Sequence, residues 1–181
     1  MEEFRLAKIL NFFFENPYEE IYLRDLSRKL KMSPFAIKKY ADFLVKNNLI
    51  RDEKRANLRF FKANMSGLLF KHLKISWSIH KIVKSGLMSM IKSKSQSISS
   101  ITLFGSAARG EDDKNSDIDI VVIGNLKELD ISEAEKKIKK RINLHVFRWS
   151  EWKKQLKLNT AFYSDIIING ISLYGDLPLV I

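Results

Sequence analysis

The chain has 181 residues, 45% of them hydrophobic, with no cysteine and a net charge of +11. That length allows one large domain or two small ones with a packed core, and the missing cysteine excludes disulfides, zinc ribbons and thiol catalysis. The N-terminus opens on acidic residues and no apolar run approaches spanning length, so a cytoplasmic protein with no membrane partner is expected.

The charge is unevenly spread. Residues 1–65 carry 14 basic and nine acidic side chains, residues 66–97 six lysines and no acid, and residues 98–181 twelve of each. The surplus lies in front, as in a nucleic-acid-facing module joined to a neutral one.

Residues 4–14 repeat apolar positions at helical spacing (Phe4, Ala7, Ile9, Leu10, Phe13, Phe14) before a break at Asn16-Pro17. A second short helix is predicted over Tyr22 to Leu30, with Leu23, Leu26 and Leu30 inward, and Lys31-Met32 is a tight turn. Ser33-Pro34 supplies an N-cap followed by proline at the first helical position. The third helix runs to about Asn47 and buries Ile37, Tyr40, Ala41, Leu44 and Val45. Two strand-like runs, Leu49 to Arg51 and Arg59 to Lys62, flank a basic tip.

Helix, helix, turn, helix, hairpin resembles the winged helix-turn-helix family over residues 1–64. The resemblance implies a third helix in the major groove of double-stranded DNA and a hairpin along its backbone. The matching candidates are Ser33, Phe35, Lys38 and Lys39 on the third helix, and Arg51, Lys54, Arg55 and Arg59 on the wing. Such cations give salt-dependent affinity without reading a base sequence.

One long linking helix is expected from Ser66 to about Lys92, its stripe running through Leu69, Leu73, Ile79, Val83, Leu87 and Met90. It could bridge two domains or pair with its copy in a homodimer. The serine-rich run Ser93 to Ser100 reads as a hinge.

Ser99 to Phe104 then reads as a strand ending at Gly105, where the backbone can turn into a short helix beginning Ser106-Ala-Ala-Arg109. The first amides of such a helix suit an anion, with the Ser106 hydroxyl and the Arg109 fork beside them. After the polar loop Glu111 to Ser116 comes Asp117-Ile-Asp-Ile-Val-Val-Ile123. Residues two apart on a strand share a face, so Asp117 and Asp119 stand side by side. Paired carboxylates suit Mg²⁺ or Mn²⁺ bridging to substrate phosphates.

This segment resembles the signature of the DNA polymerase β-like nucleotidyltransferase superfamily, in particular its minimal branch, over about residues 98–181. The resemblance implies an α+β protein: the winged helix, the linking helix, and a small mixed sheet flanked by helices. It implies a nucleoside triphosphate, ATP by default, held at Gly105 and Ser106, with Asp117 and Asp119 on two divalent metals. Arg109 matches a position where a basic residue accompanies the phosphate turn. The acceptor hydroxyl is on a protein, an RNA or a small molecule.

The family also uses a third carboxylate on a later strand, matched here by Arg141 to Phe147. Parity buries Ile142, Leu144 and Val146 and sets Asn143 and His145 on the other face, and neither is an acid. Asn143 could give a metal a neutral oxygen, and His145 could act as general base. The rival reading is a regulator that has lost turnover and senses nucleotide while the winged helix binds an operator; an antitoxin-like role is a third. Trp149, Trp152, Phe162 and Tyr163 are either a base-stacking platform or core.

Overall fold

The computed structural model describes residues 2–180, and the side chains of these except residues 2, 3 and 96. Contacts divide the chain into two units, one ending at Lys74 and one starting at Ile75. The architecture is α+β, with one antiparallel and one mixed sheet.

The first unit runs α1 (Glu2–Glu15), β1 (Ile21–Tyr22), α2 (Leu23–Leu30), α3 (Pro34–Lys46), β2 (Ile50–Arg55) and β3 (Leu58–Ala63). Its helix boundaries have local causes. Lys31 takes a left-handed conformation that ends α2, and the Ser33 hydroxyl accepts from the Ala36 amide at 3.2 Å just before Pro34. The three strands order β1-β3-β2, all antiparallel. Ile9, Phe13, Leu26, Ile37, Ala41, Leu44 and Phe61 are fully buried between the helices and this sheet. Lys74 is buried too, and its ammonium donates to the Phe14 carbonyl at 2.7 Å, satisfying the end of α1.

The single helix expected over residues 66–92 is two helices, α4 (Leu68–Ser85) and α5 (Leu87–Ser93). Gly86 separates them at φ 86°, a left-handed conformation that glycine adopts without steric cost. The Ser85 hydroxyl fixes the break, donating to Ile82 O at 2.6 Å and accepting from Leu87 N at 3.2 Å. The expected stripe is broken as well: Leu69 and Val83 are exposed, whereas Ile82, Leu87 and Ile91 are buried. Most of the serine-rich run expected as a hinge is strand, because β4 (Ser95–Phe104) begins there and pairs with its neighbour from Ser95 onward.

The second unit continues with α6 (Gly105–Ala108), β5 (Ile118–Leu126), α7 (Ser132–Ile138), β6 (Ile142–Phe147), α8 (Trp149–Leu158), α9 (Thr160–Asn169) and β7 (Ile171–Gly175). Its sheet orders β6-β5-β4-β7, with β5 and β6 parallel and the other pairs antiparallel. Alternation along β5 sorts two cores. Ile118, Ile120 and Val122 pack with Ile82, Leu87, Ile91, Ala134 and Ile138, while Val121 and Ile123 pack with Phe104, Trp152, Tyr163 and Ile166. Among the described residues, no helix is long and apolar enough to cross a membrane.

Candidate functional site

The site begins where β4 stops. Phe104 lies opposite Asp119 in the sheet, and Asp119 lies opposite Asn143 on the far side. The chain turns at Gly105, whose φ is +70°. A Cβ built on Gly105 would stand 2.6 Å from Asp119 Oδ2 and 3.3 Å from its Cγ. The turn and this carboxylate therefore share one small space, and glycine keeps it open.

Asp117 immediately precedes β5 and shares a face with Asp119. The Asn143 amide nitrogen donates to both, to Asp119 Oδ1 at 2.9 Å and to Asp117 Oδ2 at 3.3 Å. Two carboxylates this close repel, and the shared amide dipole offsets part of that repulsion. In this arrangement Asn143 is a donor; offering its oxygen to a cation requires the amide to turn over.

The connecting loop is fastened at two points. Asp113 Oδ1 accepts from the Asn115 amide at 2.9 Å, the Ser116 amide at 3.0 Å and the Ser116 hydroxyl at 3.0 Å. Burial alone would raise the Asp113 carboxyl, but these hydrogen bonds outweigh it and hold it below its ordinary value. Asp112 is fully buried and forms an ion pair with Lys140, which is itself almost fully buried. The Ile118 amide donates to Arg141 O at 2.9 Å, so the loop and the start of β6 hold the two aspartates from both sides.

Ser106 lies half-buried in α6, which is only four residues long, with no side chain capping its start. Arg109 is already committed to carboxylates. Its Nε donates to Glu111 at 3.1 Å and its Nη1 to both oxygens of Asp165 on α9, at 3.1 and 3.3 Å. The Glu111 hydrogen bond, against a smaller burial penalty and with Asp165 adding to it, holds the guanidinium above its ordinary value. Asp165 also accepts from Asn169 at 2.9 Å, so Arg109 ties the turn to α9. Sequence reading singled out neither Glu111 nor Asp165, because the Arg109–Asp165 pair spans 56 positions.

His145 follows Asn143 on the same face of β6, about 7 Å along the strand. Its ring packs edge-on to Phe104 at 5.6 Å and against Phe162 at 5.5 Å. The larger aromatics serve as core: Trp152 and Tyr163 are buried, Trp152 Nε1 donates to Pro178 O at 2.6 Å, and the Tyr163 hydroxyl accepts from the Val180 amide at 2.8 Å. Trp149 is 39% exposed, and its Nε1 donates to the Ser99 hydroxyl. Among the described residues, no group of three or more His, Asp or Glu side chains gathers as a metal cluster.

In the first unit, Phe35 is 80% exposed at the start of α3, with Lys38 and Lys39 exposed beyond the Ser33 cap. The wing arginines have acidic partners. Arg55 grips Glu20 through two contacts of 2.8 Å and also bonds Glu53, and Arg59 bonds Asp52 at 2.7 Å and Asp42. The Glu53 and Glu20 hydrogen bonds raise the Arg55 guanidinium; burial lowers that of Arg59, but the hydrogen bonds it donates to Asp42 and Asp52 outweigh this. Arg51 bonds Ser66, and Lys54 is exposed.

Residues 85–169 match a family model described as a nucleotidyltransferase domain. No curated protein matches the chain. A solved structure described as "Crystal structure of the toxin-antitoxin with AMP-PNP" is 22% identical over 54% of this chain and 73% of that chain, with a TM-score of 0.38.

Proposed function

We propose that the second unit transfers a nucleoside monophosphate from a nucleoside triphosphate, ATP by default, to an acceptor hydroxyl. The observation that carries this reading is the 2.6 Å approach of Asp119 to a Cβ placed on Gly105, which joins the phosphate turn and the carboxylates in one space. The family match over residues 85–169 supports the same class of chemistry.

Asp117 and Asp119 offer oxygen donors side by side, with neutral Asn143 facing both. That donor set fits one Mg²⁺ or Mn²⁺, whose remaining positions phosphate and water oxygens would complete. Bound there, the ion would neutralise triphosphate charge and polarise the α-phosphate. A second ion would need an oxygen from Asn143 in place of its present donor contacts.

The residues divide the remaining work. Gly105 allows the phosphates to approach the backbone, and the Ser106 hydroxyl and the first amides of α6 donate to them. Arg109 acts in this reading through Glu111 and Asp165, fixing the turn against α9. The acceptor oxygen attacks the α-phosphorus, the α–β bridging bond breaks, and pyrophosphate leaves. His145 lies a strand step beyond the carboxylates, so it takes the acceptor proton through a water.

The donor contacts of Asn143 also favour a second reading, a nucleotide sensor without turnover. One experiment separates the two. Radiolabelled ATP is supplied with Mg²⁺ and with protein, RNA and small-molecule acceptors in turn. Transfer predicts an adduct and pyrophosphate, both lost in Asp119→Asn; Mg²⁺-dependent binding without pyrophosphate supports the sensor, and neither refutes both.

For the first unit the reading is a winged helix that binds double-stranded DNA, supported by the exposed Phe35, Lys38 and Lys39 on α3. Lys54 and Arg51 follow along the wing, while Arg55 and Arg59 contribute less because acids already neutralise them. Duplex affinity that falls steeply with salt and is lost in Lys38→Ala/Lys39→Ala supports this; salt-independent or absent binding refutes it.

A further inference from the structure

One face of α3 is left unused by the core of the first unit. At 3.6 residues per turn, Phe35, Lys38, Lys39 and Asp42 fall within about 100° of arc, and all four are exposed. Ile37, Tyr40, Ala41 and Leu44 are buried on the opposite side. Phe35 heads the outer face and is 80% exposed, more than any other large apolar side chain among the described residues. Its place in the first turn is fixed. Pro34 occupies the first helical position, and the Ser33 hydroxyl accepts from the Ala36 amide. One turn further on, Lys38 and Lys39 lie to either side of the line from Phe35 to Asp42. Asp42 is the single acid of this helix, and Arg59 reaches it from β3 as an ion pair. Its charge is therefore offset, and the face is basic behind an apolar head.

This pattern limits what the face can recognise. A phenyl ring has no hydrogen-bond donor or acceptor, so it cannot read the polar groups on a base edge. In the major groove the apolar group is the C5-methyl of thymine. The first residues of a recognition helix are the ones that reach base edges, and lysines beside them complement the bordering phosphates. A protein partner would call for an apolar centre wider than one ring. Here the neighbours of Phe35 on the face are charged.

We propose that Phe35 is the specificity-determining residue of the first unit, packing against a thymine C5-methyl in the major groove while Lys38 and Lys39 hold the flanking phosphates. The inference rests on the duplex-binding reading of that unit. It adds what cations alone do not supply, a preference among base sequences.

The test uses the full-length protein to select from a pool of random-sequence duplexes. Each thymidine of the tightest duplex is then replaced in turn by deoxyuridine, which lacks only the methyl. Losing one buried methyl should weaken binding about fourfold, at one or two neighbouring positions and nowhere else. Phe35→Ala should bind the thymidine and deoxyuridine duplexes alike, and Phe35→Leu should keep part of the difference. Because Phe35 is uncharged, Phe35→Ala should leave the salt dependence of binding as it is, whereas Lys38→Ala should lower the salt slope by about one. Wild type indifferent to every deoxyuridine, or a thymine preference that survives in Phe35→Ala, overturns the assignment while the duplex reading stands. Wild type that binds no duplex overturns both.

Discussion

Replacing Gly105 with alanine tests the shared space at its narrowest point. Two penalties follow. An L-residue at φ +70° carries roughly 1–2 kcal/mol of backbone strain, which for a unit of this size corresponds to a fall of about 4–10 °C in melting temperature. The new methyl would also meet Asp119 Oδ2 at 2.6 Å, against the 3.4 Å at which ordinary contact begins. Asp119 must therefore retreat by about 0.8 Å, and misplacement on the order of 1 Å costs on the order of 100-fold at a reacting centre. Asparagine at the same position relaxes the backbone strain but retains the clash. Gly105→Asn is accordingly expected to recover part of the lost stability and little of the lost Mg²⁺-dependent nucleotide affinity. Thermal unfolding and titration calorimetry with a non-hydrolysable ATP measure both quantities. Wild-type affinity in Gly105→Ala would show that the turn and Asp119 do not serve one ligand.

Three further outcomes are expected. Asn143→Asp replaces a shared donor with a third carboxylate; the protein should lose about 1–3 kcal/mol without metal, and Mn²⁺ stoichiometry beside bound nucleotide should rise from one to two by paramagnetic resonance. Lys140→Met removes the buried ammonium that pairs with Asp112, which should cost about 3–5 kcal/mol in urea unfolding, with much of it restored in Asp112→Leu/Lys140→Met. The Asp113 carboxyl is held below its ordinary value, so its contribution is present above the unfolded value near pH 4 and is lost as pH falls through the lower folded value. Thermal melts of Asp113→Asn should therefore show a flatter loss of stability below about pH 4 than wild type.

The parts of this molecule readable from sequence are those governed by local periodicity. Two-residue alternation set Asp117 and Asp119 on one face and Asn143 and His145 on another strand's equivalent face, and the register of β4, β5 and β6 agrees with it. The Ser33 cap and the turn at Lys31 follow from local chemistry in the same way. What sequence hid was set by distant partners. Arg109 has the residue type of a phosphate ligand, but Asp165 reaches it from another helix. His145 has the type of a free base, but Phe104 and Phe162 enclose its ring. The serines at 95, 97, 99 and 100 have weak strand preference, and pairing with β5 and β7 makes their segment strand. Gly86 was a visible signal that the long apolar pattern of residues 66–92 outweighed.

Metal-dependent nucleotide binding puts the reading of the carboxylate pair most directly at risk. Calorimetry with a non-hydrolysable ATP and Mn²⁺ should give one saturable site per chain in wild type, abolished in Asp119→Asn and absent without the metal. Equal binding by wild type and Asp119→Asn, or binding indifferent to Mn²⁺, would contradict a nucleotide held between Gly105 and the paired aspartates.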